Sequence, residues 1–305
     1  MAQATTFGSV AIGSAEHKQI LLNAEEIRFV RRKATGRLVA TMLAVLTGLA
    51  VAILFIIIGY IVANGVGGIN PAFFTEIPKP MGRDGGGIAQ AIVGSFEMLI
   101  VGSLIAIPFG LLTAIYLAEF GKGRLAGMVR FAVELLASLP SIVIGVFVWA
   151  LIVRTITGFS GWAGAIALAV IMIPIMARSV EEILRLVPNS LREAAMALGV
   201  PRWRVTMQVV VPSVLPGILT GIVLAIARAA GETAPLLLTS LGNQFFNYDM
   251  GKPMAAIPLQ IYNYAIAPSP DWHTKSWAAT MVLVIVVALF SAAVRFSMRK
   301  FRYAR

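Results

Sequence analysis

Two oppositely charged side chains lie four residues apart inside an otherwise apolar stretch of the chain. Arg228 and Glu232 belong to the run Ala227-Arg-Ala-Ala-Gly-Glu-Thr-Ala-Pro-Leu-Leu-Leu. A charge in the middle of a bilayer costs about 2.5 to 3.5 kcal/mol, so such residues usually face the protein interior or a wet path. At this spacing the two side chains share one helix face and can pair. The pattern predicts either a structural ion pair or an anion site in which Arg228 supplies the positive charge.

A second group of candidate residues lies upstream, in the polar loop 178–212. Ser190 precedes Glu193 by three residues, which is the spacing of a capping box. Gly199 suits the left-handed residue that ends a helix. These signals predict a short, separately capped helix from Leu191 to Leu198. A short helix with a small-residue face cannot fold alone and needs a groove to lie in, although the local signals fit a plain connecting helix equally well.

The elements that must position these residues are apolar stretches long enough to cross a membrane. The chain has 305 residues, of which 58% are hydrophobic and 13% are charged. The charged share is about half that of a typical soluble domain. Each predicted span supplies roughly the 20 residues that cross a bilayer. The sequence therefore predicts an all-α integral membrane protein with six transmembrane helices, at 38–63, 92–117, 136–153, 162–177, 214–238 and 277–294.

The distribution of positive charge predicts the orientation of these helices. If the amino terminus is cytoplasmic, most of the 25 Lys and Arg residues lie in cytoplasmic segments. Because Lys and Arg concentrate on the cytoplasmic side of membrane proteins, both termini are predicted to be cytoplasmic. The protein is thus expected to be a multi-pass protein of the cell (inner) membrane, surrounded by lipid bilayer. Its net charge of +11 is explained by this topology, and no nucleic acid partner is expected.

The other ionisable residues carry simpler predictions. Arg130 and Glu134, four residues apart before the third span, are expected to pair on an amphipathic segment. His17 and His273 lie in polar segments without ligand partners at metal spacing. We find no paired carboxylates, metal cluster or nucleophile arrangement typical of an enzyme. The chain is predicted to be non-catalytic, with no metal or cofactor of its own.

The loop also resembles the EAA motif of ABC-importer permeases. Glu193-Ala-Ala is followed after three residues by Gly199, and after nine more by Val209-x-Val-Pro. The family pattern has Ile-x-Leu-Pro at the last position, so the two valines are conservative departures. In that family the loop is the coupling helix, which docks into a cleft on a separate ATP-binding subunit. The resemblance assigns ATPase coupling to Ser190, Arg192, Glu193, Ala194, Ala195, Leu198 and Gly199.

From the second to the sixth span, the chain is similar to the phosphate-importer permeases, the PstA type in particular. The stretches that carry this similarity are Ala137-Ser-Leu-Pro-Ser-Ile-Val-Ile-Gly-Val-Phe, Leu186-Val-Pro, the run around Arg228, and Leu241-Gly-Asn-Gln-Phe. The resemblance implies a MetI-like ABC-importer permease fold for residues 38–298, with the coupling loop at 178–212. Cytoplasmic tails would occupy residues 1–37 and 299–305. Arg228, Glu232 and, at the inner end of the fourth span, Arg178 would lie on the substrate path.

The same resemblance implies the membrane-spanning permease subunit of an ATP-driven phosphate importer. Its partners would be a second permease of the PstC type, two copies of an ATP-binding subunit of the PstB type, and an extracytoplasmic phosphate-binding protein of the PstS type. The chain has no Gly-x-x-x-x-Gly-Lys-Ser/Thr loop, so ATP and Mg would be bound by the partner ATPase. The alternatives are a permease for another oxyanion (phosphonate, sulfate or molybdate) and a secondary transporter.

Overall fold

The computed structural model describes the backbone of residues 4–83 and 85–302 and the side chains of residues 31–83 and 85–296. Residues 1–3 and 303–305 of the two predicted tails lie outside this range. The α-helices are α1 (Ala4–Gly65), α2 (Pro71–Thr75), α3 (Ala89–Ile115), α4 (Gly123–Ser138), α5 (Ser141–Val148), α6 (Gly161–Arg185), α7 (Asn189–Ala197), α8 (Arg202–Val205), α9 (Val211–Ser213), α10 (Leu215–Ala230), α11 (Ala234–Thr239), α12 (Ile257–Ala265) and α13 (Pro270–Arg302).

Three of these helices continue into π-helical turns, and the chain forms two compact units. The π-helical turns follow α3, α5 and α8, at Tyr116–Phe120, Trp149–Thr157 and Thr206–Val210. Most of α1 lies in the unit that ends at Tyr60, and the second unit begins at Ile61. The loop and the charged residues considered above all belong to the second unit.

Four helical segments in the described part of the chain are long and apolar enough to cross a membrane by themselves. They are Arg31–Gly68, Ala89–Phe120, Gly161–Arg185 and Pro270–Phe296. Two further helix pairs have the required length and composition but are sharply bent. The chain bends by 105° between Gly123–Ser138 and Ser141–Thr157. It bends by 76° between Arg202–Ser213 and Leu215–Ala230. The predicted number of six spans is therefore reached when each bent pair counts as one span.

The third predicted span, 136–153, is not one continuous helix. The chain bends at Leu139 and Pro140, between α4 and α5. Both residues have extended backbone, with ψ of 138° at Leu139 and 135° at Pro140. Proline has no amide hydrogen to bond a preceding carbonyl, and it disfavours helical dihedrals in the residue before it. The third predicted span therefore consists of two helices, which Pro140 separates.

The fifth predicted span, 214–238, is also interrupted. Helix α10 ends at Ala230, and α11 begins at Ala234. Pro235 is the second residue of α11 and cannot donate the hydrogen bond that would continue α10 to the carbonyl of Gly231. The three residues between the helices include Glu232, so the break determines where this carboxylate lies.

The main hydrophobic core lies among α3, α6 and α10, where small and flexible side chains predominate. Ala106, Met172, Met176 and Ala225 are fully buried in it. A Cβ added at Gly102 would lie only 2.9 Å from the carbonyl oxygen of Ala165. Small residues allow membrane helices to approach closely, which compensates for the weak hydrophobic driving force in lipid. This core holds α6 and α10 in the positions from which they line the candidate site.

Gly145 is required for the close contact between α5 and α11. A Cβ at this position would lie 2.7 Å from Cα of Pro235. We predict that Gly145→Ala destabilises the protein by about 1 to 3 kcal/mol, the usual effect of overpacking. Thermal unfolding in detergent would measure this loss. The matched control is Gly127→Ala, because a Cβ at Gly127 meets nothing within 4 Å. Equal stability of the two variants would contradict the prediction.

Candidate functional site

A cavity of about 340 Å³ lies beside two helix breaks, the one at Pro140 and the one between α10 and α11. Ser141 at the start of α5 and the charged pair after the middle of the fifth span are its polar lining groups. The remaining lining side chains are apolar and come from the end of α4, from α5, α6 and α10. They are Leu136, Ala137, Leu139, Ile144, Ile171, Ile175 and Leu224. A site of this kind is mostly apolar, with a few convergent polar groups that can select a ligand.

Arg228 and Glu232 form the ion pair that their spacing predicts. Arg228 Nε donates to Glu232 Oε1 at 3.1 Å. The carboxylate side chain is 10% exposed, whereas that of Arg228 is 64% exposed. Arg228 lies in the last turn of α10, and Glu232 follows the end of that helix. After the break at Ala230 the carboxylate is therefore buried and the arginine side chain is exposed, and both residues line the cavity.

The guanidinium of Arg228 has donors to spare. Its Nε is used by Glu232, and within the described part of the chain its two terminal amino groups have no hydrogen-bond acceptor. A guanidinium presents several N–H donors in one plane, which fits two oxygens of a carboxylate, phosphate or similar oxyanion. The N-terminal end of α5 borders the same cavity through Ser141 and adds partial positive charge. The arrangement is therefore suited to an oxyanion.

The third residue predicted for the substrate path, Arg178, lies elsewhere. It pairs with Glu182 on the same helix, with 3.4 Å between Arg178 Nε and Glu182 Oε1. Both side chains are well exposed, at 61% and 69%. Arg178 does not line the cavity that contains Arg228 and Glu232. The structure therefore brings together two of the three predicted residues and leaves Arg178 apart from them.

The short helix predicted in the loop is present as α7, but it begins two residues earlier than expected. It extends over Asn189–Ala197, and its first residue follows Pro188, whose ψ of 142° is extended. The predicted capping box is wrong, because no side chain caps the first turn of α7. Ser190 lies inside the helix, whereas a capping box needs that residue in extended conformation before the first turn.

The end of α7 agrees with the sequence signal. Gly199 has a φ of +78°, in the left-handed region, and its amide donates to the carbonyl of Met196 at 2.9 Å. A non-glycine residue rarely adopts this conformation without strain. The chain therefore leaves α7 at Gly199 and turns toward α8.

The residues of α7 divide between an outward and an inward face. Glu193 and Ala194 are exposed, and Leu198 at the end of the helix is 84% exposed. Ala195 is partly buried and packs against the main hydrophobic core. A short helix with an exposed apolar end and a smooth alanine face is able to lie in a groove of another protein.

Arg192, predicted to couple to an ATPase, faces the protein's own interior. Its Nη2 donates to Glu119 Oε1 at 2.6 Å, and its Nε lies 3.1 and 3.2 Å from the two oxygens of the same carboxylate. The side chains are 16% and 3% exposed. Sequence reasoning missed Glu119, although a lone carboxylate at the inner end of an apolar span indicates that it needs a cationic partner.

A second carboxylate on the same side, Glu181, binds two arginines. Its Oε1 lies 3.0 Å from Arg130 Nη2 and 2.6 Å from Arg185 Nη2, and its side chain is 9% exposed. The predicted pairing of Arg130 with Glu134 is wrong, because Arg130 reaches from α4 across to α6 instead. A buried carboxylate gains more from a nearby guanidinium than an exposed one does, since water screens exposed pairs.

The chain is similar to known proteins over most of its length. A family described as "Binding-protein-dependent transport system inner membrane component" matches residues 106–303. Curated relatives named "Phosphate transport system permease protein PstA" include one from Yersinia pestis, 43% identical over 77% of this chain and 80% of its own length. Another, from Haemophilus influenzae, is 40% identical over 86% and 93%.

Solved structures share the fold at low sequence identity. The permease chain of the MetNI methionine ABC transporter, in an inward-facing conformation, superposes with a TM-score of 0.60 at 21% identity, over 70% of this chain and 95% of that one. An amino acid ABC transporter crystallised with histidines superposes with a TM-score of 0.53 at 15% identity, over 70% and 92%. The predicted MetI-like fold is confirmed.

Proposed function

Because the chain belongs to the family of binding-protein-dependent transport system inner membrane components, we propose that it is the permease subunit of an ATP-driven phosphate importer. The relatives at 40% to 43% identity are named as phosphate transport system permease proteins, and they match most of the chain. The described part of the chain has four helices, or six with the bent pairs, that are long and apolar enough for a membrane. The function agrees with the resemblance found in the sequence.

The observation that carries the proposal is the guanidinium of Arg228 in the cavity between the helix breaks. Its Nε is fixed by Glu232 at 3.1 Å, which leaves the terminal amino groups to bind two oxygens of phosphate. Substrate sites at broken membrane helices, where helix ends face an anion, are a recurrent feature of transporters.

Glu232 serves mainly to hold Arg228 in position. Its buried carboxylate accepts the Nε donor and restricts the rotation of a long, otherwise exposed side chain. A carboxylate this close to the guanidinium can also accept a hydrogen bond from a protonated phosphate. A fully ionised anion without an acidic proton lacks that donor, so the pair favours phosphate over sulfate.

The proposal includes the rest of the transporter. A second permease would complete the translocation path, and two copies of a separate ATPase would hydrolyse ATP with Mg. An extracytoplasmic binding protein would deliver phosphate. The exposed face of α7, at Ala194 and Leu198, supports docking of the ATPase. This chain takes no part in the hydrolysis itself, because its sequence has no Gly-x-x-x-x-Gly-Lys-Ser/Thr loop.

This assignment makes both termini cytoplasmic. The loop that contains α7 must be on the same side as the ATPase, and Lys and Arg are concentrated in the segments of that side. The same orientation places the loop between α11 and α12 outside the cell. A cysteine introduced in this loop, for example Asn247→Cys, would be labelled by an impermeant maleimide added to intact cells. The chain has no native cysteine that would interfere.

Uptake of radiolabelled phosphate into vesicles that contain the complete transporter tests the function. We predict ATP-dependent uptake that stops when the ATPase or the binding protein is left out. Unlabelled phosphate should compete, whereas sulfate, molybdate and phosphonate at the same concentration should not. Absence of phosphate uptake, together with ATP-dependent uptake of labelled sulfate, molybdate or phosphonate, would identify another oxyanion as the substrate. Uptake that persists without the ATPase would indicate a secondary transporter instead.

A further inference from the structure

We propose that the ion pair between Glu119 and Arg192 is the link that transmits movement of the docking helix α7 to the membrane helices. The proposal rests on the function proposed above, in which an ATPase docks on α7. It makes Arg192 a positioning residue that acts inside the permease, although its neighbours Glu193 and Ala194 are exposed toward a partner.

Glu119 is the most deeply buried carboxylate in an ion pair of the described residues. Its side chain is 3% exposed, and it lies in the π-helical turn Tyr116–Phe120 that follows α3. A buried carboxylate without a partner is destabilising, so the folded protein strongly favours the contact to Arg192. When α7 moves, the inner end of α3 must follow, or the pair must separate at a large cost.

Arg192 also binds the end of α6. Its guanidinium donates to the carbonyl of Leu184 at 2.9 Å and to the carbonyl of Val187. Carbonyls at the end of a helix lack partners within the helix, and a cation there is favoured by the helix dipole. One side chain on α7 therefore joins two membrane helices, α3 through Glu119 and α6 through its last turn.

A second arginine, which follows α7 in the chain, binds the same π-helical turn. Arg202, the first residue of α8, donates to the backbone carbonyl of Glu119, and its guanidinium lies 5.5 Å from the ring centre of Phe120. The turn is thus bonded to one residue of α7, Arg192, and to one residue that follows α7, Arg202. A π-helical turn contains one residue more than an α-helical turn, and such turns often occur at functional sites.

The two linked helices lead directly to the candidate site. Helix α6 supplies Ile171 and Ile175 to the wall of the cavity that contains Arg228. Helix α3 packs along α6 through the close contacts at Gly102 and Gly110. A displacement of α7 that pulls on Glu119 and on the end of α6 would change the shape of this cavity. Exposed pairs such as Arg178 with Glu182 contribute little by comparison, because water screens them.

A double-mutant cycle in the assembled transporter tests the link. The variants are Arg192→Gln, Glu119→Gln and the double variant. The control is Lys122→Gln, which removes one exposed charge from the segment between the π-helical turn of Glu119 and α4. Co-purification of the ATPase, basal ATP hydrolysis, and the stimulation of hydrolysis by the phosphate-loaded binding protein are measured for each. The last measurement reports coupling between the two sides of the membrane, which mere stability of the loop would not change.

We expect each single variant to keep the ATPase bound and to lose stimulation by about tenfold, within the range of typical allosteric couplings. The double variant should lose no more than the singles, because all three break one link. Lys122→Gln should match the unchanged protein. Arg192→Lys, which retains the charge but not the planar arrangement of donors, should keep part of the stimulation and serves if the Gln variants fail to accumulate.

Three results would overturn the inference: unchanged stimulation in the single variants, additive losses in the double variant, or loss of the bound ATPase in both single variants. The last would mean that the pair only holds α7 in place for docking. Failure of the proposed function is recognised separately, because it would appear as absence of phosphate uptake by the unchanged transporter. Stimulation of hydrolysis by whichever ligand the binding protein carries would still report on the link.

Discussion

Replacing Arg228 by Gln is expected to abolish phosphate uptake while the transporter still assembles. The substitution removes the positive charge and the two terminal amino groups that face the cavity. Two charge-assisted hydrogen bonds contribute about 1.5 kcal/mol each at the lower end of their range, so uptake should fall by about 100-fold or more. Initial rates of radiolabelled uptake in vesicles measure the effect, and co-purification of the partner chains measures assembly.

The matched control for this substitution is Arg154→Gln. Arg154 is exposed in the π-helical turn after α5 and does not line the cavity. The control loses the same charge and gains the same amide, so it should transport at the normal rate. Arg228→Lys adds a finer comparison, because lysine keeps the charge but cannot bind two oxygens in one plane. Normal uptake by Arg228→Gln would exclude Arg228 from the substrate path.

Glu232→Gln separates the two roles of the carboxylate. If Glu232 only orients Arg228, the amide oxygen of Gln can still accept from Nε, and uptake should fall only a few-fold. If Glu232 also accepts a hydrogen bond from the protonated oxygen of phosphate, uptake should fall further. That loss of uptake should grow with the fraction of phosphate that is protonated. Uptake measured between mildly acidic and mildly basic pH distinguishes these outcomes.

Replacing Leu198 by Asp is expected to prevent the ATPase from binding. Leu198 is 84% exposed at the end of α7, where a partner's groove would cover it. Loss of a buried interface anchor costs about 2 kcal/mol or more, and the carboxylate adds a desolvation cost, so affinity should fall by at least about 30-fold. The amount of ATPase that co-purifies with the permease, or its affinity for the permease in nanodiscs, measures this.

Phe245→Asp is a suitable control for that experiment. Phe245 is 67% exposed in the loop that follows α11, which lies on the opposite side of the membrane in the orientation proposed above. It should leave ATPase binding intact. Ala195→Asp is a poorer test than its place in the motif suggests, because Ala195 packs against the core and the substitution would also disturb α7. Normal ATPase binding by Leu198→Asp would argue against docking on this face.

The loop around α7 shows where sequence reasoning succeeded and where it failed. The helix and its end at Gly199 follow from local conformational preferences, and both are present. The capping box failed because Pro188, rather than Ser190, precedes the first turn. The sequence could not predict that the Arg192 side chain points into the protein, because its partner Glu119 is 73 residues away in the chain.

The sequence alone determined the features that depend on spacing within a single helix or on composition. The pairing of Arg228 with Glu232 is one, because residues four apart share a helix face. The apolar lengths of the spans are another. Only the tertiary structure decided that two spans are broken at Pro140 and before Pro235, and that residues at both breaks line one cavity.

The same distinction applies to the cytoplasmic side. Only the fold brings Arg130 to Glu181 and Arg192 to Glu119, because both pairs join different helices whose packing is set by many small contacts. A buried carboxylate must find a cation wherever the packing provides one, and spacing along the chain does not reveal which. The charged residues could therefore be recognised from the sequence, but the packing of the helices decided their partners. The packing thereby also decided which residues of α7 are exposed to a docking partner and which bind other helices of the same chain.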